Sequence, residues 1–593
     1  MLDTQLLIMD RVYNVIMERV NASIVSYTTA VSAGVLSCYV GLKVYRRQQV
    51  KKKALKKREE SRKALQDVQR SVAVEITGPT ANKRKEILSL TLPQLSQQLT
   101  DGQLSAVQVL QAFQEKATAV NDELNCLTEP IPDALVRAQN VDAADQPLGL
   151  LHGVPFSIKE NYLIKGMVTT MGVTKYLDTP ADHEDAVIVQ VLMKQGAVPF
   201  VKTNIPQTLL SIGCSNPVFG NTLNQVDPTR TPGGSSGGEA ALVKGGGSIL
   251  GFGSDIGGSV RIPAHFCGIC GFKPTGQRIS GRGLMRGSPV QGVISTPGLM
   301  ARDVDSLALG MKALLVPDMF QLDPQVVPMP FRQETYEDKK PMRIGYFTSL
   351  HSCPPTPSMG RAVTMAKEAL EKAGHTLVAF DPPDALRAIV DMALRMLTAD
   401  SGRTFSTKWL KDEVIDEYLE GQIYLWTMPH YLRKIVGFLL KPFWPRVARS
   451  ISHRLIGSVY DLWQRLAERE TYIEQFVDEL NKKNIDLLLC PALGMPACKP
   501  EHAGKTLVAT AYTLLFNLLN FPAGVVPVTT VTEEDDRLLD DWRGYGNDAF
   551  DRSMKETTKG AVGLPVAVQC VALPWQEEKC LRLMKEVETL CPM

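Results

Sequence analysis

A glycine-rich stretch from residue 233 to residue 275 decides the fold, and it reads GGSSGGEAALVKGGGSILGFGSDIGGSVRIPAHFCGICGFKPT. Residues 233–258 hold 11 of the 45 glycines of the chain, where an even spread would place about two. Glycine permits a positive φ and lets backbone N–H groups approach a ligand closely. The stretch therefore predicts a site that is built largely from backbone groups.

The first half of this stretch resembles two common motifs without satisfying either. No GK[ST] closes it as a Walker A loop, and the third glycine of a dinucleotide fingerprint is missing. GxSxG occurs twice, around Ser235 and Ser236. A nucleophile elbow needs a hydrophobic strand directly before it, but residues 227–232 read DPTRTP. We therefore reject an ordinary Ser-His-Asp hydrolase.

The second half, GSDIGGS at 253–259, predicts an oxyanion hole. The N–H groups of Ile256, Gly257, Gly258 and Ser259 can converge on one point, with the Ser259 hydroxyl beside them. The alternative is a glycine turn that merely packs a helix on a strand. The residues of this segment taken alone leave both readings open.

The combination of GGSSGG, DIGGSVR and CGICGFKPT resembles the amidase signature family. That resemblance implies hydrolysis of linear amides, no cofactor and no metal, and a central mixed, twisted β-sheet flanked by helices. It implies a Ser-Ser-Lys triad with Ser259 as nucleophile, Ser235 as proton relay and Lys159 as base. It also implies that Ser236 supports the network and that the backbone at Leu209 faces the acyl group.

The lysine lies in the segment LHGVPFSIKEN, which predicts a buried strand. Strand alternation puts Ser157 and Lys159 on the side opposite Phe156 and Ile158. A lysine accepts a proton only when it is neutral, and burial lowers its pKa from about 10.4. His265 is the histidine nearest in sequence to Ser259, and we expect it to be structural.

The chain around this stretch alternates short apolar strands with helices, which predicts an α/β body from residue 87 to 593. The predicted strands are VPFSIKE, GAVPFVKTN, GSILGFGSD, IDLLLCPALG, GVVPVTTV and LPVAVQCVAL. EDAVIVQVLMKQGA predicts a helix, and Thr100-Asp101-Gly102 should separate two further helices.

The composition of the 593 residues is that of a globular protein, with 44% hydrophobic and 22% charged residues. A net charge of +2 gives no reason to expect a nucleic-acid partner. A mean hydropathy of −0.05 excludes a polytopic membrane protein. The 11 cysteines predict reduced thiols. Cys267 and Cys270 have CxxC spacing without a second pair, so we expect buried thiols and no metal site.

The N-terminal 86 residues differ in kind from the body. Residues 22–42 carry no charge over 21 positions, which suffices to cross a bilayer, and a dense basic run follows at 43–63. The positive-inside rule keeps the basic side in the cytoplasm. We therefore predict an anchor at 1–45 and a basic linker or helix at 46–86. An amphipathic or buried helix, and a solvated or lipid-touching basic face, are the alternatives.

A second membrane contact is predicted at about 423–451. No acidic residue stands between Glu420 and Asp461, and aromatic residues alternate with basic ones there. Pro442 and Pro445 should split this segment into two short helices. Such a pattern is typical of interfacial membrane helices, and the resemblance supports a helical cap. The alternative is a buried helix with a solvated basic face.

The segments QGAVPFVKTNIPQTLLSIGCSNPVFGNT and GLPVAVQCVALPWQEE resemble the membrane-bound branch of the family, which acts on fatty acid amides. This implies a lipid amide substrate such as an N-acylethanolamine or a primary amide, and an acyl-enzyme intermediate. It also implies a homodimer and a single-pass protein of intracellular membranes, such as the endoplasmic reticulum. A small-molecule amidase, a glutaminase subunit of an amidotransferase, or a non-catalytic membrane scaffold are the alternatives.

Overall fold

The computed structural model describes residues 2–74, 80–179, 182–287, 290–452 and 456–593. Residues 75–79 of the predicted linker lie outside these ranges, as does Arg454 of the predicted cap. The same holds for the side chain of Trp426.

The helices account for most of the regular structure. Helices α1 to α11 are Leu2–Val74, Thr80–Ser89, Leu92–Thr100, Ala106–Leu124, Ala134–Asp142, Val187–Lys194, Gly237–Lys244, Arg261–Cys267, Val304–Leu314, Pro317–Leu322 and Gln333–Glu337. Helices α12 to α21 are Pro357–Lys372, Leu394–Leu397, Glu420–Thr427, His430–Leu440, Pro445–Ser452, Val459–Lys482, Ala511–Leu518, Glu533–Leu538, Ala549–Thr558 and Glu577–Leu590. Two π-helical segments occupy Arg387–Ala393 and Thr404–Trp409.

Eleven strands form one mixed sheet in the order β1-β3-β2-β6-β8-β7-β12-β13-β11-β9-β10. Strands β1 to β7 are Leu127–Pro130, Pro155–Lys159, Val198–Thr203, Ser215–Asn216, Gly220–Asn221, Gly251–Asp255 and Cys270–Lys273. Strands β8 to β13 are Thr296–Ala301, Arg343–Tyr346, Thr376–Ala379, Leu487–Pro491, Ala523–Thr530 and Pro565–Ala572. Strands β4 and β5 form a separate hairpin. The predicted α/β fold with a central mixed sheet is confirmed.

The middle of the sheet positions the glycine-rich segment. Strand β2 runs parallel to both β3 and β6, and its five residues are all buried. Both faces of this part of the sheet are covered, which explains why its strands read as apolar runs. Lys159 ends β2 and Asp255 ends β6, so the two residues stand at the same edge, where parallel strands finish together.

The predicted helix boundary at 100–102 is confirmed. Helix α3 ends at Thr100, and α4 begins at Ala106 after Ser105, whose side chain accepts a hydrogen bond from Gln108 N–H. Gln108 bonds back to the Ser105 backbone and completes a capping box, which fixes where the second helix starts.

Helix α1 runs without a break through the predicted anchor and into the predicted linker as far as Val74. Among the described residues, it is the one helix whose length and composition suffice to cross a membrane. Its C-terminal half packs on the body: Ala54, Leu65 and Val72 are buried. Arg58 Nη2 donates to the carbonyl of Pro217 at 2.9 Å, beside the β4–β5 hairpin. The segment after the anchor is therefore a docked helix.

The 11 cysteines are free thiols. Cys38 on α1 is exposed, Cys591 is half-buried and the others are buried. Cys267 and Cys270 are both buried, as predicted, and burial raises the pKa of each thiol.

Candidate active site

Lys159 lies fully buried at the end of β2 and points at two serines. Its Nζ lies 2.8 Å from Ser235 Oγ and 3.0 Å from Ser254 Oγ. The carbonyl of Ser254 is a third neighbour, at 3.3 Å. Within the described ranges, no carboxylate forms an ion pair with this lysine. The amine is therefore held by neutral oxygen atoms.

The surroundings of Lys159 disfavour its charge. Burial lowers its pKa from 10.5 to about 7, and the more distant charge of Asp255 opposes this only in part. A buried ammonium without a paired carboxylate loses its hydration without compensation. A large fraction of the amine is therefore neutral near pH 7, as general base chemistry requires.

The two adjacent serines, Ser235 and Ser236, follow the turn at Gly233-Gly234 and precede helix α7. Ser235 is buried and its hydroxyl faces Lys159. Ser236 contributes its backbone, because its N–H donates to the carbonyl of Ser259 at 3.1 Å. The buried Ser236 hydroxyl has no hydrogen-bond partner among the described residues. A Cβ on Gly253 would lie 2.6 Å from that hydroxyl, so glycine is needed there.

Ser259 lies in the turn between β6 and α8. It is half-buried, and its hydroxyl makes no hydrogen bond within the described part of the chain. The contact between its carbonyl and Ser236 N–H brings the turn beside the two serines. The structure thus brings Lys159, Ser235 and Ser259 into one place, while the roles assigned to them stay predictions.

The turn is held by a buried ion pair between Asp255 and Arg261. Arg261 Nη2 lies 2.9 Å from Asp255 Oδ1, and both side chains are fully buried. Burial by itself would raise the pKa of Asp255, but the charge and hydrogen bonds of Arg261 hold that pKa well below its usual value. Removing one partner of such a pair costs about 3–5 kcal/mol, because the other charge stays buried.

Of the four N–H donors predicted for the oxyanion hole, Gly258 already has an acceptor within the protein. Gly258 N–H donates to Asp255 Oδ1 at 2.8 Å, so it holds the turn and is not open to a ligand. The N–H groups of Ile256, Gly257 and Ser259 have no acceptor among the described residues. Gly258 has a φ of 123°, and a Cβ there would lie 2.4 Å from Thr513 Oγ1. Glycine is therefore required at this position.

His265 is structural in its geometry. Its Nδ1 accepts a hydrogen bond from Ala567 N–H at 3.1 Å, and its Nε2 lies 3.1 Å from the carbonyl of Met495. Both ring nitrogens are thus used by backbone groups. Burial lowers its pKa to about 4. His265 is a neutral core residue, which leaves Lys159 as the candidate base.

Leu209 ends a short 3₁₀ turn, Gln207–Leu209, in which Thr208 and Leu209 both have positive φ. Its side chain is half-buried and packs on a small apolar cluster separate from the main core. This cluster consists of Met171, Val173, Phe405, Trp409, Leu410, Leu419 and Ile423. Its last residue belongs to α14, so the cluster joins the Leu209 region to the predicted cap.

The predicted cap consists of three helices, α14, α15 and α16, and not of two. The break between Leu440 and Pro445 lies where the prolines predict it, and a second break at Met428-Pro429 separates α14 from α15. Phe438 and Phe443 are 77% and 75% exposed, and Leu439 is 62% exposed. Leu440 and Trp444 are only half-buried, and Trp444 stacks on Arg552 at 5.6 Å. The break between α15 and α16 therefore exposes the other three side chains, and Tyr424, Tyr431 and Ile435 add further exposed apolar area to the cap.

The basic residues of the cap only partly face outward. Arg446 is buried and lies 2.7 Å from both Asp548 Oδ1 and Asp551 Oδ1. Arg433 is also buried, and Arg449 pairs with Asp391. Arg433 and Arg446 are therefore not free to face lipid, whereas Arg449 stays partly exposed beside its carboxylate partner.

Several residues that support the site carried no role in the sequence analysis. Ser254 accepts a hydrogen bond from Lys159. Its position directly before Asp255 in the glycine-rich stretch is the one sequence feature that could have indicated a role in the site. Asn517 donates a hydrogen bond to Asp255, 262 residues before it in the chain. Gln569 accepts one from Arg261, which lies 308 residues before it, so no local sequence pattern could indicate either residue. Thr513 Oγ1 donates to the Gly257 carbonyl at 2.7 Å and fixes the turn from below.

Known proteins are similar along most of the chain. The family model described as Amidase matches residues 108–581. Fatty-acid amide hydrolase 1 of Sus scrofa is 46% identical over 85% of this chain and 86% of its own length. Fatty acid amide hydrolase 1 of Caenorhabditis elegans is 38% identical over 85% of this chain and 89% of its own.

A solved structure of a fatty acid amide hydrolase superposes with a TM-score of 0.74 at 26% identity, covering 91% of this chain and 95% of that one. The family model matches well over half of the residues, and the relatives align over nearly their whole length. The matched residues include both the glycine-rich segment and the strand that bears Lys159. This chain therefore belongs to the amidase family of hydrolases that act on amides.

Proposed function

We propose that the chain is a membrane-bound serine hydrolase that cleaves fatty acid amides to a free fatty acid and an amine. The observation that carries this proposal is the buried Lys159, whose Nζ lies 2.8 Å from Ser235 Oγ with no carboxylate partner among the described residues. A neutral amine aimed at a serine hydroxyl is the base that a Ser-Ser-Lys triad requires.

In the proposed reaction, Ser259 Oγ attacks the amide carbonyl carbon. Ser235 takes the Ser259 proton and passes its own proton to Lys159. The positive charge then lies on Lys159, whose pKa of about 7 lets the amine take up and release a proton near neutral pH. The N–H groups of Ile256, Gly257 and Ser259 stabilise the negative oxygen of the tetrahedral intermediate. Gly258 and Ser236 position the turn through their backbone groups, and neither donates to the substrate.

The same groups then carry the proton in the opposite direction, from Lys159 towards the substrate. An amide anion is a poor leaving group, so the proton held by Lys159 returns through Ser235 to the departing nitrogen. The acyl group then remains on Ser259 as an ester. Water attacks this ester while Lys159 takes its proton, and that proton passes through Ser235 to Ser259 Oγ as the ester C–O bond breaks, so the fatty acid leaves and the free serine is restored. No step requires a metal or a cofactor.

The relatives and the apolar surroundings support a lipid substrate. Two relatives and one solved structure are named fatty acid amide hydrolases. In this chain, the apolar cluster beside Leu209 runs toward the cap helices. We assign the acyl chain to that cluster, with Leu209 near the acyl group. N-acylethanolamines and primary fatty acid amides are the proposed substrates.

Membrane attachment is proposed at two places. Residues 1–45 anchor the chain by one span, residues 46–86 join it to the body of 87–593, and the cap at 423–451 touches the bilayer. The basic run after residue 42 favours a body that faces the cytoplasm, and we assign the chain to intracellular membranes such as the endoplasmic reticulum. The proposed homodimer rests on the family resemblance alone.

Turnover of an amide panel by the detergent-solubilised chain tests the function. Oleamide and N-acylethanolamines should be hydrolysed with a far higher kcat/KM than acetamide or a short water-soluble anilide. The apolar cluster contributes about 0.8 kcal/mol for each buried methylene. Preferred cleavage of the short amides would instead support the small-molecule amidase. Failure to react with a fluorophosphonate would support the scaffold.

Replacing Phe438, Leu439 and Phe443 with serine should weaken liposome binding of a chain that lacks residues 1–45, by about tenfold or more. Each exposed side chain would otherwise bury apolar area in the bilayer. Sedimentation with phosphatidylcholine liposomes measures the change, and cleavage of a soluble amide should persist.

The matched control replaces Leu135, Val136 and Leu148, three exposed apolar residues outside the cap. That variant should bind liposomes like the parent chain. Equal losses in both variants would contradict a specific membrane role for the cap.

A further inference from the structure

A cleft of about 710 Å³ lies between helix α1 and two segments of the body, away from the serines and Lys159. The α1 side contributes Gln49, Val50, Lys52, Lys53 and Lys56. The body contributes Thr174 and Lys175 from a short 3₁₀ helix, and Lys411, Asp412 and Glu413 from a loop. The volume lies within the range of small-ligand sites.

The cleft has a surplus of positive charge. Five lysines line it against two carboxylates. One carboxylate is already used: Glu413 accepts from Thr174 N–H at 2.9 Å and from Lys175 N–H at 2.7 Å. These bonds hold the loop, and the carboxylate keeps its charge, so the lysines of the cleft exceed its carboxylates by three, five against two.

The lysines of the cleft differ in how far they are already paired. Lys53 pairs with Asp178, Lys56 lies 3.8 Å from Glu60, and Lys175 donates to the carbonyl of Lys408. Within the described ranges, Lys52 on α1 and Lys411 on the opposite wall form neither an ion pair nor a hydrogen bond. Two exposed cations thus stand on opposite walls, and neither has a direct ion-pair partner in the part of the chain that the structure describes.

The position of the cleft links it to the proposed membrane surface. Gln49 follows Leu42, the end of the proposed span, by seven residues, which is about 10 Å along a helix. The headgroup layer extends about 5–8 Å beyond the hydrocarbon core. The mouth of the cleft therefore stands next to the headgroups. Lys411 precedes α14, the first cap helix, so the cleft lies between both proposed membrane contacts.

We propose that this cleft binds the phosphorylated headgroup of an anionic membrane lipid, such as a phosphoinositide. Lysines bind phosphate as point charges, and basic clusters just cytoplasmic of a span attract such lipids. A headgroup between Lys52 and Lys411 bridges α1 to the loop that precedes the cap. The proposal rests on the proposed anchoring by α1 and is independent of the proposed chemistry.

Binding is measured on the full chain in uncharged detergent micelles, by the anisotropy of a fluorescent phosphatidylinositol bisphosphate. The double variant Lys52→Ala/Lys411→Ala should weaken binding about tenfold or more, since each lysine near the headgroups contributes about 1 kcal/mol. The matched control is Lys51→Ala/Lys63→Ala, which removes two exposed charges from α1 outside the cleft. This control should change binding less than twofold.

The outcomes separate the possible sources of phosphate. Soluble inositol trisphosphate should displace the fluorescent lipid only at a concentration at least tenfold higher than unlabelled lipid does. The lipid and the anchor of the protein share one micelle, which raises the effective concentration of the lipid at the cleft. Equal affinity for the soluble compound would overturn a lipid ligand. Equal losses in the two double variants would show diffuse attraction and overturn the site, and so would the absence of binding by the unaltered chain. Turnover is not read in this assay, so failure of the proposed chemistry would not affect it.

Discussion

Replacing Ser259 with alanine should abolish both amide turnover and covalent labelling by a fluorophosphonate. Loss of a nucleophile costs up to about 10⁶ in rate, because no other group can form the acyl-enzyme. Ser259 is half-buried and its hydroxyl makes no hydrogen bond within the described chain. The free energy of unfolding should therefore change by less than about 1 kcal/mol.

Two measurements check this expectation on one sample. A denaturant titration shows that the variant is folded, and mass spectrometry of the labelled parent chain locates the adduct. An adduct on Ser235 or Ser236, with labelling retained in the Ser259→Ala variant, would refute the assignment. Loss of labelling in a variant with unchanged stability would support it.

Replacing Lys159 with methionine should lower kcat/KM by about 10²–10⁴, the usual contribution of a general base. Methionine keeps most of the volume of the buried side chain but accepts no proton. In the unaltered chain, burial lowers the pKa of Lys159 to about 7. The protonated amine is inactive as a base, so kcat/KM should rise tenfold per pH unit below pH 7 and level off above it. The variant should lose this ionisation.

Lys202 on the neighbouring strand β3 provides the control for Lys159. It is also fully buried, and its Nζ donates to Thr169 Oγ1 at 3.0 Å. The change Lys202→Met should lower stability, since buried Glu160 loses its nearby cation, but the ionisation near pH 7 should remain. A Lys159→Met variant that keeps this ionisation would show that another group is the base.

The sequence predicts the individual strands of this molecule well, because the alternation and polarity of neighbouring residues determine them. The predicted strand VPFSIKE is β2, and GSILGFGSD contains β6. The two motif segments lie at one edge of the sheet, since β2 and β6 are parallel neighbours. The burial of Lys159 agrees with the short, largely apolar strand that the sequence predicts, all five residues of which are buried. The strand assignments needed no knowledge of distant contacts, whereas the pairing of β2 with β6 did.

Contacts between distant segments could not be predicted in the same way. The carboxylate of Asp255 takes the N–H of Gly258 because Arg261 and Asn517 fix its orientation from other elements. Arg446 looks like a surface cation in sequence, yet its partners Asp548 and Asp551 follow about a hundred residues later. Charge patterns alone do not tell a buried ion pair from a lipid-facing residue.

The continuous helix α1 determines how the body can be oriented. With residues 22–42 in the bilayer, the first buried contact on the body, at Ala54, follows Leu42 by 12 residues, or about 18 Å of helix. No break in the helix separates the two points. The proposed span and the body therefore tilt together as one rigid unit. Under the proposed anchoring, the angle of this helix sets which face of the body lies against the membrane, and a lipid substrate would be sought in two dimensions at a fixed height above the bilayer.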